Sequence, residues 1–187
     1  MRIATRTYGK HLATAGAMPA PGGILLAVGA APGGTCEAAA YRRAHPDVRV
    51  CACNAAIVGW PCDLEFAVSL HARFLGVVAP AGFDAPWLTS RERAGFDAPG
   101  CVASSRAEAG VDMVLTSNGP VGGSGMLMVL LGHYLGCERI VLAGVALSKP
   151  GYMDAFFNRW RMARTAGLLD NVRCLTPGPI RDLVGGI

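Results

Sequence analysis

Eight consecutive residues, Asn118-Gly-Pro-Val-Gly-Gly-Ser-Gly125, carry the clearest chemistry in this sequence. They follow an apolar run, Val111 to Thr116, and precede an apolar segment from Met126 to Leu135. Strand, glycine turn and helix in that order make an anion site. Small residues let the backbone approach a ligand, and the amides of the first helical turn point at its negative charge. Ser124 is placed to cap the helix and to donate its hydroxyl. Gly122, Gly123 and Gly125 are the positions of close approach, and Asn118 opens the turn. The same glycines also suit a turn that merely packs a helix tightly on a strand, so both readings stand at this point. No Gly-Lys-Ser/Thr is present, which excludes the nucleoside-triphosphatase loop. Gly119, Gly122 and Gly125 do not fit Gly-x-Gly-x-x-Gly, which argues against a standard dinucleotide dehydrogenase.

Other chemistry-bearing residues fall just after apolar runs. His71 follows Leu64 to Leu70 and is the candidate general acid or base; a histidine closing a helix would look the same. Asn54 follows Val48 to Cys53 and can hydrogen-bond a base, ribose or sugar. Its structural alternative is an asparagine that caps the next segment. Ser69, Ser117, Ser148 and Lys149 belong to the same set. His133, inside the apolar segment, reads as a core residue with its hydrogen bonding satisfied. Cys51 and Cys53 share a strand face. No second cysteine or histidine pair completes a zinc set, so they read as small core residues. Asp63 and Asp112 flank strands. No metal-site residue is assigned, and Mg2+ enters only as an ion that a nucleotide would bring. Neither a Ser/His/Asp order nor a paired-carboxylate spacing is recognisable.

The elements that must position these groups alternate. Ile24 to Val28, Val48 to Cys53, Leu64 to Leu70, Val111 to Thr116, Ile140 to Val145 and Val172 to Leu175 read as strands. Helices are expected after Thr35 as a cap, from Ser124 to Leu135 with Gly136 just beyond its end, and over the amphipathic stretch Tyr152 to Ala166. Residues 76–100 read as a loop containing a duplicated Ala-Gly-Phe-Asp-Ala-Pro. Strand–helix alternation predicts an α/β fold with a doubly wound, mostly parallel, Rossmann-like sheet. Ligands in such sheets bind beyond the carboxyl ends of the strands. The turns at 29–34, 54–60, 117–125 and 146–151 fall at that edge.

Composition agrees. The chain has 187 residues, enough for one domain, and is 52% hydrophobic with a mean hydropathy of +0.37. A parallel sheet buried on both faces, or a large subunit interface, would account for that. No run reaches the roughly 18 to 20 apolar residues of a membrane span, and residues 1–23 lack the apolar segment of a signal peptide. The odd count of 7 cysteines suits reduced thiols, so a cytoplasmic location is expected. Net charge is +4, and no acidic residue precedes Glu37. Residues 1–22 read as an extended basic arm and 23–187 as the α/β domain. An arm so poor in core formers is expected to be held by its own domain or by a neighbour. The latter would make the protein an oligomer or part of an assembly.

The segment Gly122 to Val145 resembles a segment of the bacterial family 42 sialyltransferases. It is similar also to their Rossmann-like relatives, including the archaeal 6-hydroxymethyl-dihydropterin diphosphokinase. In these a small-residue turn opens a helix that leads, through Leu135-Gly-Cys-Glu-Arg-Ile140 here, into a strand ending in glycine. Ile24 to Gly33 looks like their opening strand and turn, and Val50 to Asn54 like the strand ending in the asparagine that contacts nucleotide. Val172-Arg-Cys-Leu-Thr176 is similar to the tail of small phage and prophage proteins with this core. The resemblance implies a nucleotide or nucleotide-sugar ligand and transferase activity, with phage or prophage origin and a place in the host cytoplasm or an assembled virion. Two departures count against sialyl transfer. Ala30-Ala-Pro-Gly33 replaces the family's polar Asn-Gly-Pro-Ser, and no histidine follows His133 to match the family's catalytic one. The rival expectation is a non-enzymatic subunit of a phage particle or another large assembly, which uses the fold without its chemistry.

Overall fold

A computed structural model describes residues 3–7, 22–60, 64–70, 101–104, 113–117, 122–147 and 154–187. Side chains are described in these segments except at 3–7, 58, 59, 101–104, 113, 114, 116 and 117. The described strands are β1 (Ile3–Thr7), β2 (Ile24–Val28), β3 (Arg49–Cys53), β4 (Phe66–Ser69), β5 (Cys101–Ser104), β6 (Met113–Ser117), β7 (Arg139–Ala143) and β8 (Val172–Cys174). The described helices are α1 (Gly34–Ala44), α2 (Ala56–Gly59), α3 (Ser124–Tyr134), α4 (Asp154–Thr165) and α5 (Pro179–Val184).

The strands form one sheet in the order β1-β6-β5-β4-β3-β2-β7-β8. β2 to β8 run parallel, and β1 joins β6 antiparallel. From β2 the parallel strands move outward through β3, β4, β5 and β6, and the chain then returns to β7 on the other side of β2. This is the expected α/β, Rossmann-like architecture, and the carboxyl ends of β2 and β7 mark its switch point.

Both sheet faces are covered, which is why the strands read as continuous apolar runs. Alternate residues divide cleanly. Leu25, Ala27, Cys51, Cys53, Phe66, Val68, Ile140 and Leu142 face α3, with Trp160 and Ala163 of α4 and Ile180 and Val184 of α5 in the same cluster. Leu26, Val28, Val50, Ala52, Ala67, Val141 and Ala143 face α1 and α2, meeting Ala38, Tyr41, Ile57 and Trp60. α3 packs on the sheet over β2, β3, β4, β6 and β7, and every residue from Met126 to Gly132 is buried. It therefore has no polar face, as its sequence indicates. It ends at Gly136, φ +67°, where Cys137 N–H bonds Gly132 O at 2.9 Å and Gly136 N–H bonds His133 O at 3.1 Å. These are the two bonds of a Schellman ending.

The structure corrects several sequence-based boundaries. Within the extended amino-terminal arm, Ile3–Thr7 is held by the chain's own domain as the edge strand β1. α1 is capped at Gly33, φ +81°, and not at Thr35. The turn at 54–60 contains the short α2, and β5 and α5 have no counterpart in the sequence reading. The duplicated motif within 76–100 lies outside the described residues.

Three glycines close the switch point. A Cβ on Gly29 would collide with Gly144 O, a Cβ on Gly144 with Gly29 O, and a Cβ on Gly34 with the Gly144 backbone. Gly144 also sits at φ +70°. Gly144→Ala is therefore expected to cost at least about 1–3 kcal/mol in urea unfolding, through overpacking against backbone that cannot move aside. Gly33→Ala has the same sign of φ but open space around the new Cβ. It should cost only the strain of a left-handed residue, about 1–2 kcal/mol. Equal losses for the two would contradict this account of the contact.

Candidate anion-binding site

The buried path of α3 fixes where its first turn emerges. Gly122 is buried, Gly123, Ser124 and Gly125 are partly exposed, and the next seven residues are buried. Each glycine of the turn has its own reason. A Cβ at Gly122 would lie 3.1 Å from the Trp160 ring, and one at Gly125 would lie 2.8 Å from Val145. Gly123 is held at φ +92° beside the Phe156 ring. The buried Trp160 Nε1–H donates to Gly122 O at 2.9 Å, so α4 anchors the turn. Packing thus explains Gly122 and Gly125, while Gly123 is required by its backbone conformation.

The helix cap is Gly123, not Ser124 as the sequence suggested, and no side-chain hydrogen bond caps the helix. Ser124 is the first helical residue, and its hydroxyl serves elsewhere. Leu70 N–H donates to Ser124 Oγ at 3.3 Å, and Ser124 Oγ–H donates to Asn54 Oδ1 at 3.4 Å. The buried Ser69 Oγ–H also donates to Asn54 Oδ1, at 3.1 Å. Two hydroxyls on Oδ1 orient the amide, so the Asn54 Nδ2 donors turn away from the cluster. Asn54 itself is exposed and sits at φ +54°, a left-handed conformation that asparagine tolerates better than most residues. The structure thus joins the ends of β3 and β4 to the start of α3 through three residues expected at this edge: Asn54, Ser69 and Ser124.

Among the described helices that start at this edge, α1 and α3 differ in the charge of their first turns. α1 has Glu37 in its first turn. Glu37 accepts a hydrogen bond from the Thr176 hydroxyl, which in turn accepts from Gly144 N–H. The positive end of α1 is therefore already matched by a carboxylate, and its turn is packed against Gly144. α3 has no acidic residue in its first turn. An anion at the α3 terminus would find helix amides and an asparagine amide group, and no carboxylate from that turn. Arg159 and Phe156 of α4 flank the same turn, with the guanidinium 5.8 Å from the ring centroid. The sequence marks Arg159 as part of a basic stretch, Arg159 to Arg164, that suits phosphate, an acidic partner or a solvated helix face, but an amphipathic helix does not reveal which turn of another helix it will meet.

Of the predicted site residues, Asn54, Gly122, Gly123, Ser124 and Gly125 come together here. His71 and Asn118, with Ser148, Lys149, Asp63 and Asp112, lie outside the described residues. Ser117 ends β6, with its side chain outside the described set. His133 is tied by its Nε2 to Leu168 O at 2.7 Å, as expected of a satisfied histidine. Among the described residues no group of three or more His, Cys, Asp or Glu is placed to hold a metal. No described helix is long and apolar enough to cross a membrane.

Comparison of the chain with protein-family models, with curated proteins and with solved structures finds no match.

The thiols near the site belong to the core. Cys51 and Cys53 are buried under α3, and burial pushes the Cys53 thiol up to about 12 and the Cys51 thiol well above its ordinary range. Burial likewise raises Cys137, and it raises Cys174 to about 11. None of these four supplies a thiolate near neutral pH. Cys36 is exposed on α1. Alkylation of the native protein at about pH 8 should modify Cys36 and spare Cys51, Cys53, Cys137 and Cys174 until denaturant is added. Peptide mass mapping reads this directly, and native modification of Cys53 at the rate of Cys36 would contradict the placement.

Proposed function

We propose that this protein binds a nucleotide-like ligand, a nucleotide or nucleotide sugar, with a phosphate at the amino end of α3, and that it acts as a transferase on that ligand. The observation that carries the reading is the contrast along α3. A helix buried from Met126 to Gly132 becomes partly exposed at its amino end, at Gly123, Ser124 and Gly125, where no side chain among the described residues caps it. The neighbouring Asn54 offers its amide donors because its oxygen is engaged by Ser69 and Ser124. Neutral donors at a helix terminus suit a phosphate ester and also a charge that develops during group transfer. In that role the turn positions the donor and stabilises charge, and His71 is the candidate for proton transfer. The resemblance to family 42 sialyltransferases and pterin diphosphokinases lends the reading its substrate class. The missing polar residues at Ala30 to Gly33 and the absence of a histidine after His133 leave sialyl transfer as such unsupported.

The rival reading, a structural subunit held by its basic arm, loses one of its arguments. Residues 3–7 pair within the chain's own sheet, so their order requires no neighbouring subunit.

A panel of nucleotides and nucleotide sugars tested by thermal shift is the first experiment. A ligand at 100 times its dissociation constant should add about 2.7 kcal/mol of stability. Asn54→Asp is the informative variant. It keeps an acceptor for Ser69 and Ser124, removes the Nδ2 donors and places a carboxylate at the phosphate. Calorimetry should show affinity falling by at least about tenfold, the scale of one lost hydrogen bond to a charged group. Unchanged affinity in Asn54→Asp would remove Asn54 from the site, and no stabilisation by any member of the panel would remove the ligand reading. If a donor is found, His71→Ala should lower turnover by about 10² to 10⁴ with little change in the dissociation constant.

A further inference from the structure

Among the described residues β8 ends the sheet on the β7 side, and no full strand lies beside its other edge. Such an edge offers unpaired N–H and C=O groups to any extended chain. The register decides which groups these are. Leu175 N–H bonds Leu142 O at 2.8 Å and Ile140 N–H bonds Asn171 O at 3.0 Å, so the backbone of residues 171 and 175 faces β7. By alternation, Val172 and Cys174 turn their backbone groups outward.

Each of the three outward groups traced here is taken by the chain itself. Val172 N–H donates to Leu169 O at 3.1 Å. Cys174 N–H donates to Gly185 O at 2.9 Å, and Cys174 forms a parallel bridge with Gly186. Val172 O accepts from Arg173 Nη1 at 2.6 Å. The same nitrogen lies 3.1 Å from Asp170 O and 3.3 Å from Val184 O, at the carboxyl end of α5, where a cation is favoured. Gly185, at φ +88°, makes the reversal that lays residues 185–187 along β8 after α5.

We propose that Arg173 and residues 185–187 form an edge guard, which keeps β8 from pairing with the β8 of a second copy of this chain. Two features point to a second copy as the excluded partner. The Val172 and Cys174 side chains are fully buried, so β8 is already an ordered strand and a twin strand could extend the sheet across a twofold axis without refolding. Antiparallel pairing centred on Arg173 would also set two arginines opposite each other, and like charges directly opposite are unfavourable. Arg173 therefore opposes pairing twice, by occupying Val172 O and by its charge.

The test compares wild type with Gly185→Pro/Arg173→Ala. Proline cannot take φ +88° and lacks the N–H that bonds Arg181 O. The variant should show Cys174 amide exchange faster by at least about tenfold at low concentration. Its mass by light scattering should rise with concentration toward twice the wild-type value. A deprotected Cys174 amide with a mass equal to wild type at every concentration would overturn the proposal. Wild type supplies a reading that does not depend on the variant folding. Its Val172 and Cys174 amides should be protected like interior sheet amides, and free exchange at Cys174 would show that no guard exists.

Discussion

The structure depends on a helix that has no side fit for water. α3 is apolar around its circumference and packs on the sheet, in one buried cluster with Trp160 and Ala163 of α4 and Ile180 and Val184 of α5. That packing sets the depth at which α3 crosses the sheet and hence the point at which its first turn comes out. Helix and strand must also approach closely. A Cβ at Gly132 would lie 2.5 Å from Ile140 Cδ1, so the missing side chain is what lets α3 settle onto β7. The candidate site follows from this packing. The turn is held from above by Trp160 and from beside by Val145, and it opens where the ends of β3 and β4 present Asn54 and Leu70 N–H.

The position of the site within the fold is also a consequence of packing. In doubly wound sheets the crevice at the switch point is the usual place for a ligand. Here the carboxyl ends of β2 and β7 are drawn together by contacts between Gly29, Gly34 and Gly144. The space beside them holds Thr176 and Glu37. The first turn of α1 carries the chain's own carboxylate, which accepts from the Thr176 hydroxyl. The uncompensated helix end lies on the other face, at α3. Side-chain chemistry thus separates the α1 terminus from the α3 terminus within the same fold.

Much of the fold was legible because a parallel sheet buried on both faces writes itself as short apolar runs separated by glycine turns. β2, β3, β7 and α3 fall within a residue or two of their expected bounds, and Gly136 ends α3 as its position indicated. The elements that were missed lack such a signal. Ile3–Thr7 has a single large apolar residue, Ile3, and β5 has four residues with no flanking pattern. Within the site, Asn54, Ser69 and Ser124 were readable as residues that follow strands or open a helix. Their connection was not, because it depends on strand order, which brings β3 and β4 under the start of α3. The cap assignment failed for a local reason: Gly123 adopts the nonhelical conformation that a cap requires, which frees Ser124 to bond across to Leu70 and Asn54. Glu37 and Thr176 are 139 positions apart in sequence, and no local pattern joins them.

The central claim is that anion binding belongs to α3 and not to α1, and amide chemical shifts followed during titration with a nucleoside diphosphate test it most directly. The account predicts saturable shifts at the amides of Ser124, Gly125 and Met126 and at the Asn54 side-chain amide, with those of Gly34, Thr35 and Cys36 unmoved. Saturable shifts confined to the α1 group, or none at the α3 group up to millimolar ligand, would contradict it.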